Sequence, residues 1–426
     1  MPNQTLSSDT LRIAISRTAP PCRVTVFQGA RQYHLNLRPA VGAEDTAYVA
    51  EYRLSPDGGR PMALSAPDAF FKAVEPTWTV PQGKTQQRHF HPLHGWLNDP
   101  NGLFFLDGQW HLFYQYNPLG VTWENMHWGH AVSTDLKNWK HLPISLYPDE
   151  YGMMYSGSAV VDENDAAGFG KDAILLFYTN CDTETHMATQ CLAVSTDRGR
   201  TFAKYKGGLP IIGNITGSTD RDPNIAWDER AGVWRMALYF GTSASKSSFG
   251  LFESRNLVNW TPTDVYDIPE GAECPGIRPM TDEATGERRW LFTEASGRYR
   301  LGDISATGKV TFDGGVRRFL YGVYYAGQSY FGTQNGKTVY LSWLRMAPSP
   351  ERQWTGCLST PMELRLKGGE LLVNPLEAAT AFEEGGLDSF LETAPEGAAG
   401  HGRIVADTFT TEYFDDSQRF AVAVVR

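Results

Sequence analysis

The sequence predicts an all-β chain arranged as a five-bladed β-propeller, on three observations. Short runs of alternating apolar and polar residues recur along the chain, separated by Gly, Pro, Asn and Asp. Long amphipathic helical periodicity is nearly absent. A polar turn followed by an aromatic also returns at intervals of roughly sixty residues, about the length of one four-stranded blade. Ser133-Thr134-Asp135-Leu136 leads to Trp139, Ser195-Thr196-Asp197 to Phe202, and Ser254 with Asn256-Leu257 to Trp260. Ser-Thr-Asp is also a common turn, so the repeat by itself leaves that plainer reading open. The span from His91 to Pro361 has room for about five such units.

Taken in order, residues 1–80 contain the alternating runs LRIAIS, CRVTVF, QYHLNL and AYVAEYRL, read as a small N-terminal β-rich module. A Pro- and Gln-rich connector, VEPTWTVPQGKTQQRHF, follows. The propeller is expected over residues 85–362. LFFLDGQWHLFYQY reads as its first hairpin, because Asp107-Gly108 between two hydrophobic runs suits a tight two-residue turn. GSAVV, AILLFYT, VWRMALYF, RWLFTEA and TVYLSWL continue the strand series. Residues 363–426 are expected to form a linker and a partial β-sandwich, with GRIVADTFTTEYF and FAVAVVR as its strands.

Composition narrows the function. The chain has 426 residues, 41% hydrophobic and 12% aromatic, enough for a large core. A net charge of −10 gives it no electrostatic reason to bind nucleic acid or anionic membranes, and favours a neutral polar ligand. The five cysteines, Cys22, Cys181, Cys191, Cys274 and Cys357, are scattered and form no CxxC, so neither a disulfide framework nor a zinc cluster is expected. No apolar run approaches the ~20 residues of a membrane span. MPNQTLSSDTLR has no basic and apolar leader pattern, so a cytoplasmic location is the expectation, with secretion the alternative if the true start lies upstream. His89, His91 and His94 are loosely spaced and without a further ligand nearby, so no metal site is expected. Oligomeric state is not legible.

Three acidic motifs carry the chemistry. In Asn98-Asp99-Pro100-Asn101-Gly102, Pro100 biases Asp99 toward extended backbone and Asn101-Gly102 favours a tight turn with positive φ. Asp220-Arg221-Asp222-Pro223 precedes another strand, and Glu273-Cys274-Pro275 lies among small, weakly polar neighbours with few cations close in sequence. Taken singly, each has a plain reading: an exposed turn, a solvated ion pair, a loop glutamate. Together they match what glycoside hydrolysis needs: an ionised nucleophilic carboxylate, a protonated carboxylic acid, and a third carboxylate near a positively charged transition state. A propeller can bring such distant positions together at one end of its axis.

GWLNDPNGLFF, FYQYNP, WGHAVSTDLKNWKHLPISLYPDE, YSGSAVV, DRDPNIAW and ECP, in that order between His91 and Pro375, resemble glycoside hydrolase family 32, the β-fructofuranosidases. The resemblance implies a five-bladed propeller followed by a β-sandwich, and retaining hydrolysis of sucrose or fructans without metal or organic cofactor. It implies that Asp99 is the nucleophile, Asp222 the transition-state stabiliser and Glu273 the general acid and base. It also implies that Asn98, Gln115, Trp123, Tyr155, Ser156 and Arg221 line the sugar pocket. Amides and a guanidinium can satisfy sugar hydroxyls, and an indole offers an apolar wall.

The chain departs from the family pattern in places. Leu97 stands where Met is more usual, Tyr155 where Phe is common, and YYAGQSY (Tyr324 to Tyr330) replaces a more usual YAAQTW, which puts linkage and chain-length preference in doubt. The N-terminal module has no counterpart in the core family, and the sandwich is expected to be truncated. That would expose a propeller face unless residues 1–80 compensate. The alternatives carried alongside hydrolysis are a fructosyltransferase with the same three carboxylates (including one that forms a difructose anhydride), an inverting relative, and an inactive fructan-binding protein.

Overall fold

The computed structural model describes residues 3–5, 10–28, 31–53, 62–80, 83–84, 88–241, 248–332, 336–376, 380–382, 395 and 402–425. Strands dominate them, with one short α-helix at Asp68–Ala73. No described helix is long and apolar enough to cross a membrane.

Five sheets form the propeller. Their first strands are Gly95–Leu106, Met153–Asp162, Arg221–Asp228, Gly276–Thr281 and Tyr324–Ser329. Each lies against the first strands of its two neighbours, and the fifth returns to the first, so the ring closes on five blades. Backbone hydrogen bonds also hold the ring closed. Trp354–Thr355 pairs in parallel with Gly95 and Trp96, and Phe331 exchanges backbone hydrogen bonds with Leu103 and Phe105. Trp354, Leu97, Tyr330 and Leu358 are buried at or near this seam.

The sixty-residue repeat has a structural cause. Three blades end their third strand, His127–Ser133, Ala188–Ser195 and Ser248–Ser254, in the same turn. Asp135 accepts backbone N–H groups from Lys137 and Asn138, Asp197 from Arg200 and Thr201, and Asn256 from Val258 and Asn259. The next residue in each case, Leu136, Arg198 and Leu257, has φ between 60° and 65°. The side-chain acceptor offsets the cost of that left-handed residue, and this selects Asp or Asn at the turn. The Asp107-Gly108 hairpin also forms, with φ of 51° and 76°, between Gly95–Leu106 and Gln109–Asn117.

The outer strands of the fifth blade are Met362–Lys367 and Glu370–Pro375. The blade therefore runs past the expected boundary at 362. MELRLK alternates buried and less buried positions, as a strand with one covered face does. The strands Thr380–Phe382, Gly402–Ala406, Thr410–Asp415 and Ala421–Val425 form a single sheet. That sheet joins the propeller through a parallel pairing of Ala421–Ala423 with Leu320–Gly322. Phe414, Ala421 and Ala423 share a hydrophobic core with Phe319, Tyr324 and Met362, so this face of the propeller is covered by the C-terminal sheet.

The three histidines of the connector separate to different partners. His89 is buried between Asp407 (3.2 Å) and Glu412 (2.7 Å). Burial opposes its charge, but hydrogen bonds and attraction from the two carboxylates outweigh this and hold its pKa at about 9. His91 stacks on Trp354 and His94 on Tyr48.

The N-terminal module packs a four-stranded sheet and a two-stranded sheet against the first blade. Its core of Leu11, Ile13, Val26, Leu35, Tyr52 and Phe70 extends into Leu119, Val121 and Tyr147 of the propeller. Tyr48 donates to the Pro118 carbonyl, and the Tyr52 hydroxyl bonds His127 Nε2. Asn36 is bound on both backbone and side chain by Asn125 and Glu124. The module thus grips the segment from Pro118 to His127.

Candidate active site

At one end of the propeller axis lies a cleft of about 370 Å³. All nine residues singled out in the sequence line it: Asn98, Asp99, Gln115, Trp123, Tyr155, Ser156, Arg221, Asp222 and Glu273. Thr219, Tyr325 and Trp343 complete the wall. Every blade contributes: Asp99 the first, Ser156 the second, Asp222 the third, Glu273 the entry to the fourth and Tyr325 the fifth.

These side chains enter the cleft through a shared backbone device. The first strand of a blade should alternate its side chains between the two faces of the sheet. At the site this register breaks. Shifts fall between Leu97 and Pro100, between Tyr155 and Gly157, between Arg221 and Asn224, and between Tyr325 and Gln328. A bulge of this kind bends the strand and re-aims a side chain. Asp99, Ser156 and Asp222 sit within three of these shifts, and the fourth begins at Tyr325. Positive φ appears at two of the same places, Asp222 at 65° and Ala326 at 51°, and at Cys274, 53°, just ahead of the fourth blade's first strand. Each costs roughly 1–2 kcal/mol relative to ordinary backbone.

This corrects the sequence expectation for Asn98–Gly102. The stretch is no turn at a strand mouth; it lies inside the twelve-residue strand Gly95–Leu106. The positive φ of Gly102, 52°, serves a second register shift between Asn101 and Phe104. A side chain at Gly102 would press on Trp128 and Phe113.

Asp99 accepts a hydrogen bond from Ser156 Oγ at 2.6 Å. Burial raises its pKa, the charge of Glu273 raises it further, and hydrogen bonds from Ser156, Asn98 and Cys274 partly offset both, giving about 6. Asp222 is pushed up by burial and by Glu273 and Asp99, against the pull of Arg221. It accepts the Cys274 backbone N–H at 3.1 Å. The Cys274 thiol reaches both carboxylates, at 3.4 Å from Asp222 and 3.7 Å from Asp99. Burial and these negative neighbours keep it protonated, well above the ordinary thiol range. Although Cys274 follows Glu273 in the chain, its thiol hydrogen bonds go to the two aspartates.

Glu273 is not in the cation-poor setting expected from its sequence neighbours. Arg221, 52 residues earlier, donates to Oε2 from Nε at 2.9 Å and from a terminal nitrogen at 2.5 Å. Tyr325 donates its hydroxyl to Oε1 at 2.9 Å. Arg221 is itself fixed by Thr219, through backbone and side-chain oxygens, and by the ring of Tyr239 at 4.5 Å. A planar fork held on three sides orients the carboxyl more tightly than a lysine could.

The remaining wall is aromatic and amide. Asn98 Oδ1 accepts from Trp96 Nε1, and Gln115 donates to the Met154 carbonyl. The rings of Trp123 and Tyr155 meet edge to face at 5.7 Å, and Trp343 packs against Trp96 and Tyr325. Trp123 is 45% exposed, a large apolar surface at the rim with the chemistry of a sugar platform. Tyr325 lies in the YYAGQSY stretch flagged as unusual. Thr219 and Trp343 carry no local signal in the sequence.

The chain is similar to known proteins. Residues 89–375 match the glycosyl hydrolases family 32 N-terminal domain. A levanase from Bacillus subtilis is 35% identical over 311 residues, 66% of this chain and 44% of the relative. An invertase from Schizosaccharomyces pombe is 35% identical over 285 residues, 60% of this chain and 48% of the relative. The chain thus spans less than half the length of these curated relatives. Among solved structures, an exo-inulinase from Aspergillus awamori superposes with a TM-score of 0.68 at 22% identity, over 82% of this chain and 94% of the other, a likeness of fold. A Bombyx mori β-fructofuranosidase variant in complex with sucrose gives 0.64 at 26% identity, over 80% and 88%. With its five-bladed ring and with residues 89–375, well over half of its length, matched to that domain, the chain belongs to glycoside hydrolase family 32.

Proposed function

We propose that the protein is a retaining β-fructofuranosidase that releases terminal fructosyl residues from sucrose or fructans. The observation that carries this is the convergence of Asp99, Asp222 and Glu273, from three separate parts of the ring, in one cleft with amides and aromatics around them. The curated relatives named levanase and invertase support the substrate class.

In this reading Asp99 attacks the anomeric carbon of a terminal fructose while Glu273 gives its proton to the departing glycosidic oxygen. A fructosyl ester on Asp99 results. Glu273, now ionised, takes a proton from water as that water attacks the ester, and free fructose leaves with its configuration retained. Ser156 holds Asp99 in position by the 2.6 Å bond. Arg221 and Tyr325 hold the Glu273 carboxyl toward the leaving group. Asp222 accepts hydroxyls of the sugar ring and balances positive charge as the bond stretches. None of these roles calls for a metal or organic cofactor.

The test is incubation with sucrose, inulin and levan, resolving products by chromatography and product anomer by NMR, beside Asp99→Asn. Free fructose of retained configuration from the parent protein alone supports the reading. Oligosaccharides or a cyclic disaccharide would replace hydrolysis with transfer, and fructan binding without turnover would replace it with a binding role.

A further inference from the structure

A second groove, of about 330 Å³, lies beside the catalytic cleft where the N-terminal module meets the second blade. One wall is the strand Arg31–Leu37 of the module, which buries Tyr33, Leu35 and Leu37 and turns Gln32 and His34 outward. The other wall is formed by Glu150, Met153, Thr183 and Glu184 of the propeller. Among the described residues no lysine or arginine lines it, although Lys204 pairs with the lining Asp149 at 2.6 Å.

The groove adjoins the cleft along two structural lines. Met153 in the groove and Tyr155 in the cleft are two residues apart on one strand, about 7 Å. On the opposite side, the strand that presents Gln32 and His34 continues to Asn36. Asn36 is hydrogen bonded to Glu124 and Asn125, next to the rim indole of Trp123. A path therefore runs from Trp123, over Glu124 and Asn36, to His34 and Gln32.

We propose that this groove is a distal subsite that holds the inner fructosyl units of a β-fructan whose terminal residue occupies the catalytic cleft. It rests on the fructosidase reading and extends it to chain length. The lining fits a neutral polyhydroxylated chain. Amide, imidazole, hydroxyl and carboxylate groups exchange hydrogen bonds with hydroxyls, and the acidic balance disfavours an anionic polymer. A module outside the catalytic ring thereby gives the enzyme a preference for polymer over sucrose. That contribution is in binding, because the groove touches none of the three carboxylates.

Two variants test it: the double variant Gln32→Ala with His34→Ala, and Thr183→Trp, which fills the groove from an exposed turn. Each is assayed on sucrose and on long-chain levan and inulin. The expected result is KM for the polymer raised about fivefold, a plausible size for a few lost polar contacts, with kcat/KM on sucrose within about twofold of the parent. Unchanged polymer KM in both variants overturns the subsite. An equal loss on sucrose and polymer overturns it as well, since the groove would then act only by disturbing the cleft. A parent protein that cleaves neither sucrose nor fructan refutes the fructosidase reading itself, an outcome distinct from an active enzyme indifferent to both variants.

Discussion

Replacing Asp99 with asparagine should abolish turnover and at the same time stabilise the fold, by an amount that depends on pH. The carboxyl rises from its ordinary 3.8 to about 6 because burial and the Glu273 charge disfavour its ionised form. At about 1.4 kcal/mol for each tenfold change, the rise corresponds to about 3 kcal/mol of folding free energy forfeited at neutral pH. The carboxylate keeps one side open to the cleft, so solvent screening reduces the expected gain to about 1–2 kcal/mol. The direction follows from linkage. Between pH 4 and 6 the unfolded chain has given up this proton and the folded chain still holds it. The parent protein therefore loses stability as pH rises through that window, and below pH 4 the penalty vanishes. Asparagine has no proton to lose and can still accept from Ser156 through its carbonyl oxygen. Chemical denaturation of both proteins at pH 4, 5, 6 and 7.5 measures the difference. The gain should grow across the first three points and level off at the last. A constant difference, or an asparagine variant that is less stable at neutral pH, would refute the electrostatic account of this site.

Four further outcomes are expected. In the parent enzyme kcat/KM should fall about tenfold per pH unit below pH 6, as Asp99 takes up the proton that blocks its attack; a flat acid limb down to pH 5 would assign the nucleophile elsewhere. Arg221→Lys should cost about 10- to 100-fold in kcat/KM, because the fork on Glu273 is worth about 1.5–3 kcal/mol and a single ammonium cannot replace it; a change below threefold argues against that role. His89→Gln should destabilise the fold by about 3–5 kcal/mol by leaving Asp407 and Glu412 buried without their cation. Since its pKa is raised to about 9, the His89 contribution is complete below the unfolded value of about 6.5 and declines as pH climbs through 9, which thermal melts at pH 6 and 9.5 would reveal. Gly157 follows Ser156 on its strand, and Gly157→Ala should cost about 1–3 kcal/mol and lower activity, since the added carbon would lie 1.9 Å from the Phe177 carbonyl oxygen of the neighbouring strand; normal stability would show that the strand has slack there.

Much of the architecture was legible because its causes are local. The Asp107-Gly108 hairpin and the Ser-x-Asp turns are written in residues that tolerate positive φ or accept backbone N–H groups, so they can be read in short windows. The nine cleft residues were legible through motif resemblance, and the cleft contains them all. What escaped was set by long-range geometry. The contact between Arg221 and Glu273 joins residues 52 apart across a blade boundary, so a local reading of Glu273 found no cation. Thr219 and Trp343 reach the cleft only because of where the ring places them. The bulges that aim Asp99, Ser156 and Asp222 are register breaks between paired strands, and a single strand carries no record of its partner's register. The end of the propeller was missed because Met362–Pro375 reads as a generic hairpin until its pairing with Thr338–Leu344 is known.

The seam between Trp354–Thr355 and Gly95–Trp96 also bears on how the protein is born. A chain emerging from the ribosome offers the strand of Asp99 long before the segment that seals its edge exists. For most of synthesis the first blade presents open backbone N–H and C=O groups to solvent, next to a row of aromatic residues. The N-terminal module, made before that blade, packs on the segment just after its second strand, while the Gly95–Trp96 edge waits for Trp354–Thr355.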